Sequence, residues 1–91
     1  MELDLLLREW VQLSEKLTAT TNWLHSISGE NHSATNLGRL VRMIRTAAQL
    51  EVRTLYDKPT PNLTLDQNVQ RLADLKEEVN SFTFWARYVL D

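Results

Sequence analysis

The chain's 91 residues suffice for one small domain, 1–91, and are too few to give two separate cores. Hydrophobic content of 43% against 24% charged residues excludes a disordered chain, and a net charge of −2 argues against a generally basic nucleic-acid module. The absence of cysteine removes disulfides, thiolate nucleophiles and thiolate metal ligands, and makes a cytoplasmic location the expectation.

The first segment repeats apolar residues at steps of three and four: Leu3, Leu6, Trp10, Leu13, Leu17, Leu24 and Ile27, with Thr20 the lone polar member. This spacing keeps one side of a helix apolar and predicts helix 1 over about residues 2–28. Thr20 is expected to bond back to the carbonyl of Leu17 or Lys16. Gly29 is expected to close the helix in a left-handed conformation. The start, Met1-Glu2-Leu3-Asp4, lacks the basic region of a signal peptide, and no apolar run approaches the ~18 residues of a membrane span.

Helix 2 is expected over about 35–57, capped by Ser33 or Thr35. Its leading face is read as Leu37, Val41, Ile44, Ala48, Val52 and Leu55, with Leu40, Met43, Ala47 and Leu50 flanking it. Pro59 and Pro61 end it, since proline lacks an N–H and disfavours helix in the preceding residue. Thr64 and Gln67 form a capping box that opens helix 3, expected over about 64–90. Its face runs Leu65, Val69, Leu72, Leu75, Val79, Phe82, Ala86 and Val89.

Three helices of matched length joined by short loops predict an all-α fold, an antiparallel up-down-up three-helix bundle. One pole would gather Trp23, Leu24, Leu37, Leu40, Phe82 and Trp85, and the other Trp10, Leu55, Tyr56 and Leu65. Helix 1, with Trp10 and Trp23, resembles the first helix of a spectrin-type repeat, which carries a core tryptophan. The Pro59-Thr60-Pro61 break departs from that pattern, so the resemblance assigns no family.

Chemistry has little to build on. His25 and His32 lack a paired carboxylate or nucleophile at a recognised spacing, and His25, Glu30 and His32 match no metal-ligand motif. Glu77 and Glu78 read as a solvated pair rather than an acid and base. With glycine only at Gly29 and Gly38, there is no phosphate-cradling loop. Two sequons, at Asn31 and Asn62, occur where about one is expected by chance at this composition, so glycosylation is not the expectation. The reading is no enzyme, no cofactor, no metal and no small-molecule substrate.

Binding surfaces are the better lead. Leu5 and Leu7 lie off the helix 1 register, and Phe84, Trp85 and Tyr88 off that of helix 3. These five are the candidate partner-binding residues, because exposed aromatic and leucine clusters are enriched at interfaces. The competing reading absorbs Val11, Leu40 and Trp85 as flanking core. Helix 2 is locally basic, with Arg39, Arg42, Arg45 and Arg53 as a candidate charged face. Internal pairing is the favoured reading of these: Arg42 and Arg45 with Asp74, Glu77 and Glu78, and Arg53 with Glu9. An acidic protein partner comes next and nucleic acid last. The expected function is therefore a helical interaction module, an adaptor, inhibitor or assembly subunit, that binds another protein or a second copy of itself. Nucleic-acid binding through the arginine face is the alternative.

Overall fold

The computed structural model describes residues 2–90 as three helices, α1 (Glu2–Ile27), α2 (Ala34–Tyr56) and α3 (Leu65–Leu90), with no strand among the described residues. All three pairs of helices touch, α1 with α3 most extensively and α2 with α3 least. Side-chain bonds fix the directions. Trp10 near the start of α1 reaches Thr54 near the end of α2, and Arg53 of α2 reaches Glu78 of α3. Lys16 and Trp23 of α1 meet Asn80 and Arg87 of α3 in the same order. The chain is thus an up-down-up bundle, 48 × 18 × 15 Å across.

The α1 face is the one its spacing indicates. Leu13, Leu17, Thr20 and Leu24 are buried, and Leu6, Trp10, Trp23 and Ile27 pack against them. The Thr20 hydroxyl donates to the Lys16 carbonyl at 3.1 Å, so the buried polar group is satisfied within its own helix. The helix does not end on a left-handed glycine, because no glycine among the described residues has positive φ. Instead Ser28 N–H turns back to the Leu24 and His25 carbonyls, and His32 Nε2 donates to the Ile27 carbonyl at 2.7 Å. Backbone bonds, including Glu30 N–H to the Ile27 carbonyl, and this one side chain from the loop together satisfy carbonyls of the last turn.

α2 departs from its expected face. Leu40, Ala47, Leu50 and Thr54 are buried, with Met43 and Ile44 half-buried beside them. The flanking residues of the sequence reading are the core, while Leu37, Val41, Ala48, Val52 and Leu55 are exposed. Both stripes are apolar, so periodicity alone does not choose between them; contact with α1 and α3 does. Ser33 caps the helix, its hydroxyl accepting from Asn36 N–H.

α3 opens with the expected capping box: Thr64 N–H donates to Gln67 Oε1 at 3.0 Å, and Gln67 N–H to Thr64 Oγ1 at 3.1 Å. Leu72, Leu75, Val79, Phe82 and Ala86 then form the core as expected. The first turns differ. Leu65 and Val69 are exposed, and Asn68 is buried in their stead. Asn68 Oδ1 accepts from Thr60 N–H at 3.0 Å and Nδ2 donates to the Thr60 carbonyl at 2.8 Å. One side-chain amide therefore satisfies both backbone groups of a residue in the proline loop, where Pro59 is buried. Leu55 and Tyr56 are exposed too, so of the residues expected at this pole only Trp10 joins the core.

Candidate interaction surface

The aromatic residues near the end of α3 form one cluster. Phe84 and Tyr88, one helical turn apart, stack with centroids 6.1 Å apart and planes within 12°. Trp85 meets both edge-on, at 5.7 Å from Phe84 and 5.3 Å from Tyr88. The rings are 62%, 50% and 70% exposed in the order Phe84, Trp85 and Tyr88. Trp85 and Val11 are therefore not flanking core, whereas Leu40 is.

The cluster is a ridge between two open grooves. On the α1 side a groove of about 670 Å³ is lined by Lys16, Thr83 and Arg87 along with Phe84 and Tyr88. On the α2 side a groove of about 770 Å³ is floored by Met43, Leu50 and Phe82 and walled by Arg42, Arg53, Glu77 and Glu78, with Trp85 at its edge. Cationic groups thus stand on both sides of the rings. Arg87 is additionally held 3.9 Å above the Trp23 ring, which fixes it beside the cluster.

Leu5 and Leu7 belong to a different place. Leu5 is exposed and Leu7 half-buried at the start of α1. From the pairing of Lys16 with Asn80, their level on α3 lies about 13 to 19 residues before the aromatic cluster, roughly 20 to 28 Å along the bundle. The five residues therefore make two surfaces rather than one.

The arginines of α2 separate as well. Arg53 bonds to Glu78 and, at 3.0 Å, to Asp57, rather than to Glu9. α1 meets this part of α2 at Thr54, whereas Arg53 lies on the side of α2 that faces α3. Arg42 and Arg45 do not pair with Asp74, Glu77 or Glu78, and neither they nor Arg39 has an ion-pair partner among the described residues. Helical rotation explains Arg45: at about 100° per residue it turns away from α3 while Arg53 turns toward it. Arg42 lines the α3-side groove with Asp74, Glu77 and Glu78 but forms no ion pair with them.

Asp57 centres a charge knot just past α2. Burial pushes its carboxyl up, but hydrogen bonds from Arg71 and Arg53 outweigh that and leave it below the ordinary carboxylate range. Arg71 donates to Asp57 at 2.8 Å and to the Tyr56 carbonyl at 2.7 Å, and Trp10 Nε1 donates to the Thr54 carbonyl at 3.0 Å. Side chains from α1 and α3 thereby satisfy terminal carbonyls of α2 that have no intrahelical partner. Arg71 and Asn68 were not singled out in the sequence, and only the Pro59–Pro61 turn, with backbone groups to satisfy, signals the need for them.

No group of three or more His, Asp or Glu side chains is placed to hold a metal among the described residues. No helix among them is long and apolar enough to cross a membrane. No family model, curated protein or solved structure matches the chain.

Proposed function

We propose that this chain is a non-catalytic helical module that works by binding another protein, through the ridge of Phe84, Trp85 and Tyr88. The observation that carries the reading is the mutual packing of three large rings that remain half or more exposed. Burying such rings supplies much of the binding energy of an interface, and their contacts with one another limit the side-chain freedom lost on binding. A role as adaptor, inhibitor or assembly subunit, in the cytoplasm, with a different protein or a second copy as partner, belongs to the same proposal. Leu5, with Leu7 beside it, supplies a second and separate contact.

The test pairs Phe84→Ser with Tyr88→Ser. The double variant is expected to keep the helical circular dichroism signal and lose, by at least ~30-fold, affinity for a partner retained by the wild-type chain. A fall in helicity would return the rings to the fold and end this reading.

Nucleic-acid binding is the second reading, favoured by the guanidinium groups of Arg39, Arg42 and Arg45, which form no ion pair among the described residues. It requires affinity for DNA or RNA that falls steeply with salt, with a slope near −0.7 to −0.9 per phosphate contacted. Absence of binding at low ionic strength removes it.

A further inference from the structure

The groove on the α1 side of the aromatic ridge holds two cations that are positioned but not neutralised. Lys16 Nζ donates to Asn80 Oδ1 at 2.8 Å, and the Arg87 guanidinium lies 3.9 Å above the Trp23 ring. Both holding groups are uncharged. Asn80 takes one of the ammonium's donors, and stacking on Trp23 occupies the flat face of the guanidinium while leaving its N–H edge for an acceptor. Neither cation has an ion-pair partner among the described residues. No carboxylate among those residues lines the groove, and its two threonines, Thr20 and Thr83, donate back to carbonyls of their own helices. Glu9 stands outside it, about two turns of α1 before Lys16, in a smaller hollow lined also by Lys76 and by Lys16 itself. The groove therefore offers two positive charges beside the exposed rings of Phe84 and Tyr88.

Spacing and charge say what fits there. Lys16 stands at the level of Asn80, two helical turns before Arg87 on α3, so the two cations are about 10 Å apart along the bundle. Two turns of a helix laid in the groove span that distance, with carboxylates at i and i+7 opposite the cations and an apolar residue between them against the rings. The far side of the ridge narrows the choice. Asp74, Glu77 and Glu78 line the α2-side groove against Arg42 and Arg53, and the chain carries a net charge of −2. A nucleic-acid strand or an anionic lipid surface broad enough to cover the ridge would meet those carboxylates, whereas a helix about 10 Å across seats on the α1 side alone. A second copy is opposed in both two-fold arrangements. Parallel α3 helices would set Glu77, one heptad before Phe84 and in line with it, against its own equivalent. Antiparallel ones would put both flanks of Lys16 and Arg87 on one side.

We propose that this groove receives an acidic amphipathic helix of a different protein, its carboxylates on Lys16 and Arg87 and its apolar side chains on Phe84 and Tyr88. This rests on the ridge being the partner-binding surface and adds the chemistry of the partner.

The experiment uses the full chain and two fluorescent synthetic helices of about four heptads with identical Leu and Phe seams, one carrying Glu once per heptad along a single flank and the other Gln at the same positions. Anisotropy is expected to show the Glu helix binding at least ~10-fold tighter than the Gln helix, with the difference shrinking toward ~0.5 M salt. Lys16→Gln with Arg87→Gln should bring the Glu helix down to the level of the Gln helix without loss of circular dichroism helicity, as a coupling between these groups requires. Phe84→Ser with Tyr88→Ser should abolish binding of both. Equal binding of the two helices by the wild-type chain, lost in the ring variant, leaves the ridge in place and overturns the acidic partner. A Glu advantage that survives the Lys16 and Arg87 substitutions, or binding indifferent to the ring substitutions, also overturns the proposal. So does failure of either helix to bind, while a partner captured by the wild-type chain and not by the ring variant then keeps the ridge. A doubled mass in light scattering that returns to 10.6 kDa in the ring variant overturns the proposal in favour of a second copy. A shift of single-stranded DNA, or flotation with phosphatidylserine vesicles, that the ring variant loses overturns it in favour of a nucleic acid or a lipid surface.

Discussion

Asn68 ties the second loop to α3. Its amide engages both the N–H and the carbonyl of Thr60, and Nδ2 lies 3.4 Å from the Leu63 carbonyl as well. Replacing it with alanine would leave the Thr60 N–H without its partner and the Thr60 carbonyl with only the 3.4 Å bond from Leu63 N–H, each lost bond costing about 1–3 kcal/mol. Asn68→Ala is therefore expected to cost ~2–4 kcal/mol in a denaturant titration; a loss of less than about 1 kcal/mol would mean that water takes over the bonds. Ser14 presents the opposite case, because its buried hydroxyl oxygen has no hydrogen-bond partner among the described residues. Ser14→Ala removes an unsatisfied group and adds helix propensity, so it should raise stability by ~0.5–1.5 kcal/mol in the same assay. The polar positions that were readable in the sequence, Thr20, Ser33, Thr64 and Gln67, all bond within four residues of themselves. Asn68 answers to a backbone group eight residues away, in a loop whose path only the folded chain defines, and the neighbouring Val69 fits the apolar period better.

Among the elements, α1 was legible because a single apolar face leaves one way to pack it. α2 offers two adjacent apolar rows, and its sequence does not say which will meet the other helices. The structure buries the row through Leu40, Ala47 and Leu50, and the other row becomes a surface. The same ambiguity governs its arginines: rotation turns Arg53 toward α3, where it pairs, and Arg45 away from it, while Arg42 lines the groove beside Asp74, Glu77 and Glu78 without an ion pair among the described residues. The end of α2 has its own pH dependence. The Asp57 carboxyl lies below its ordinary value in the fold, so ionised Asp57 contributes stability that is fully present above its unfolded pKa of about 3.9. That contribution is lost as pH falls through the lower folded value. Asp57→Asn is expected to lower Tm at neutral pH and to flatten the decline in Tm below about pH 4. An unchanged acid limb in the variant would shift the acid sensitivity to other carboxylates.

At the scale of the molecule, the three contacts between helices are unequal, and α2 is the least secured member. It meets α3 least extensively, leaves a groove of about 770 Å³ beside it, and carries an uncovered apolar row on its other edge. A small bundle opens through its least-packed element, so α2 amides should exchange with solvent deuterium through openings of lower free energy than those of α1 and α3. Mass-spectrometric exchange that gave equal protection in all three helices would contradict this order. A protein bound at the aromatic ridge changes the balance by linkage: at about 100 times its Kd it adds ~2.7 kcal/mol, which for a domain of this size is a rise in Tm of roughly 10–20 °C. Such a partner is anchored on α3, so the added protection should fall on the end of that helix before the middle of α2. Protection that grew first on α2 would place the partner elsewhere.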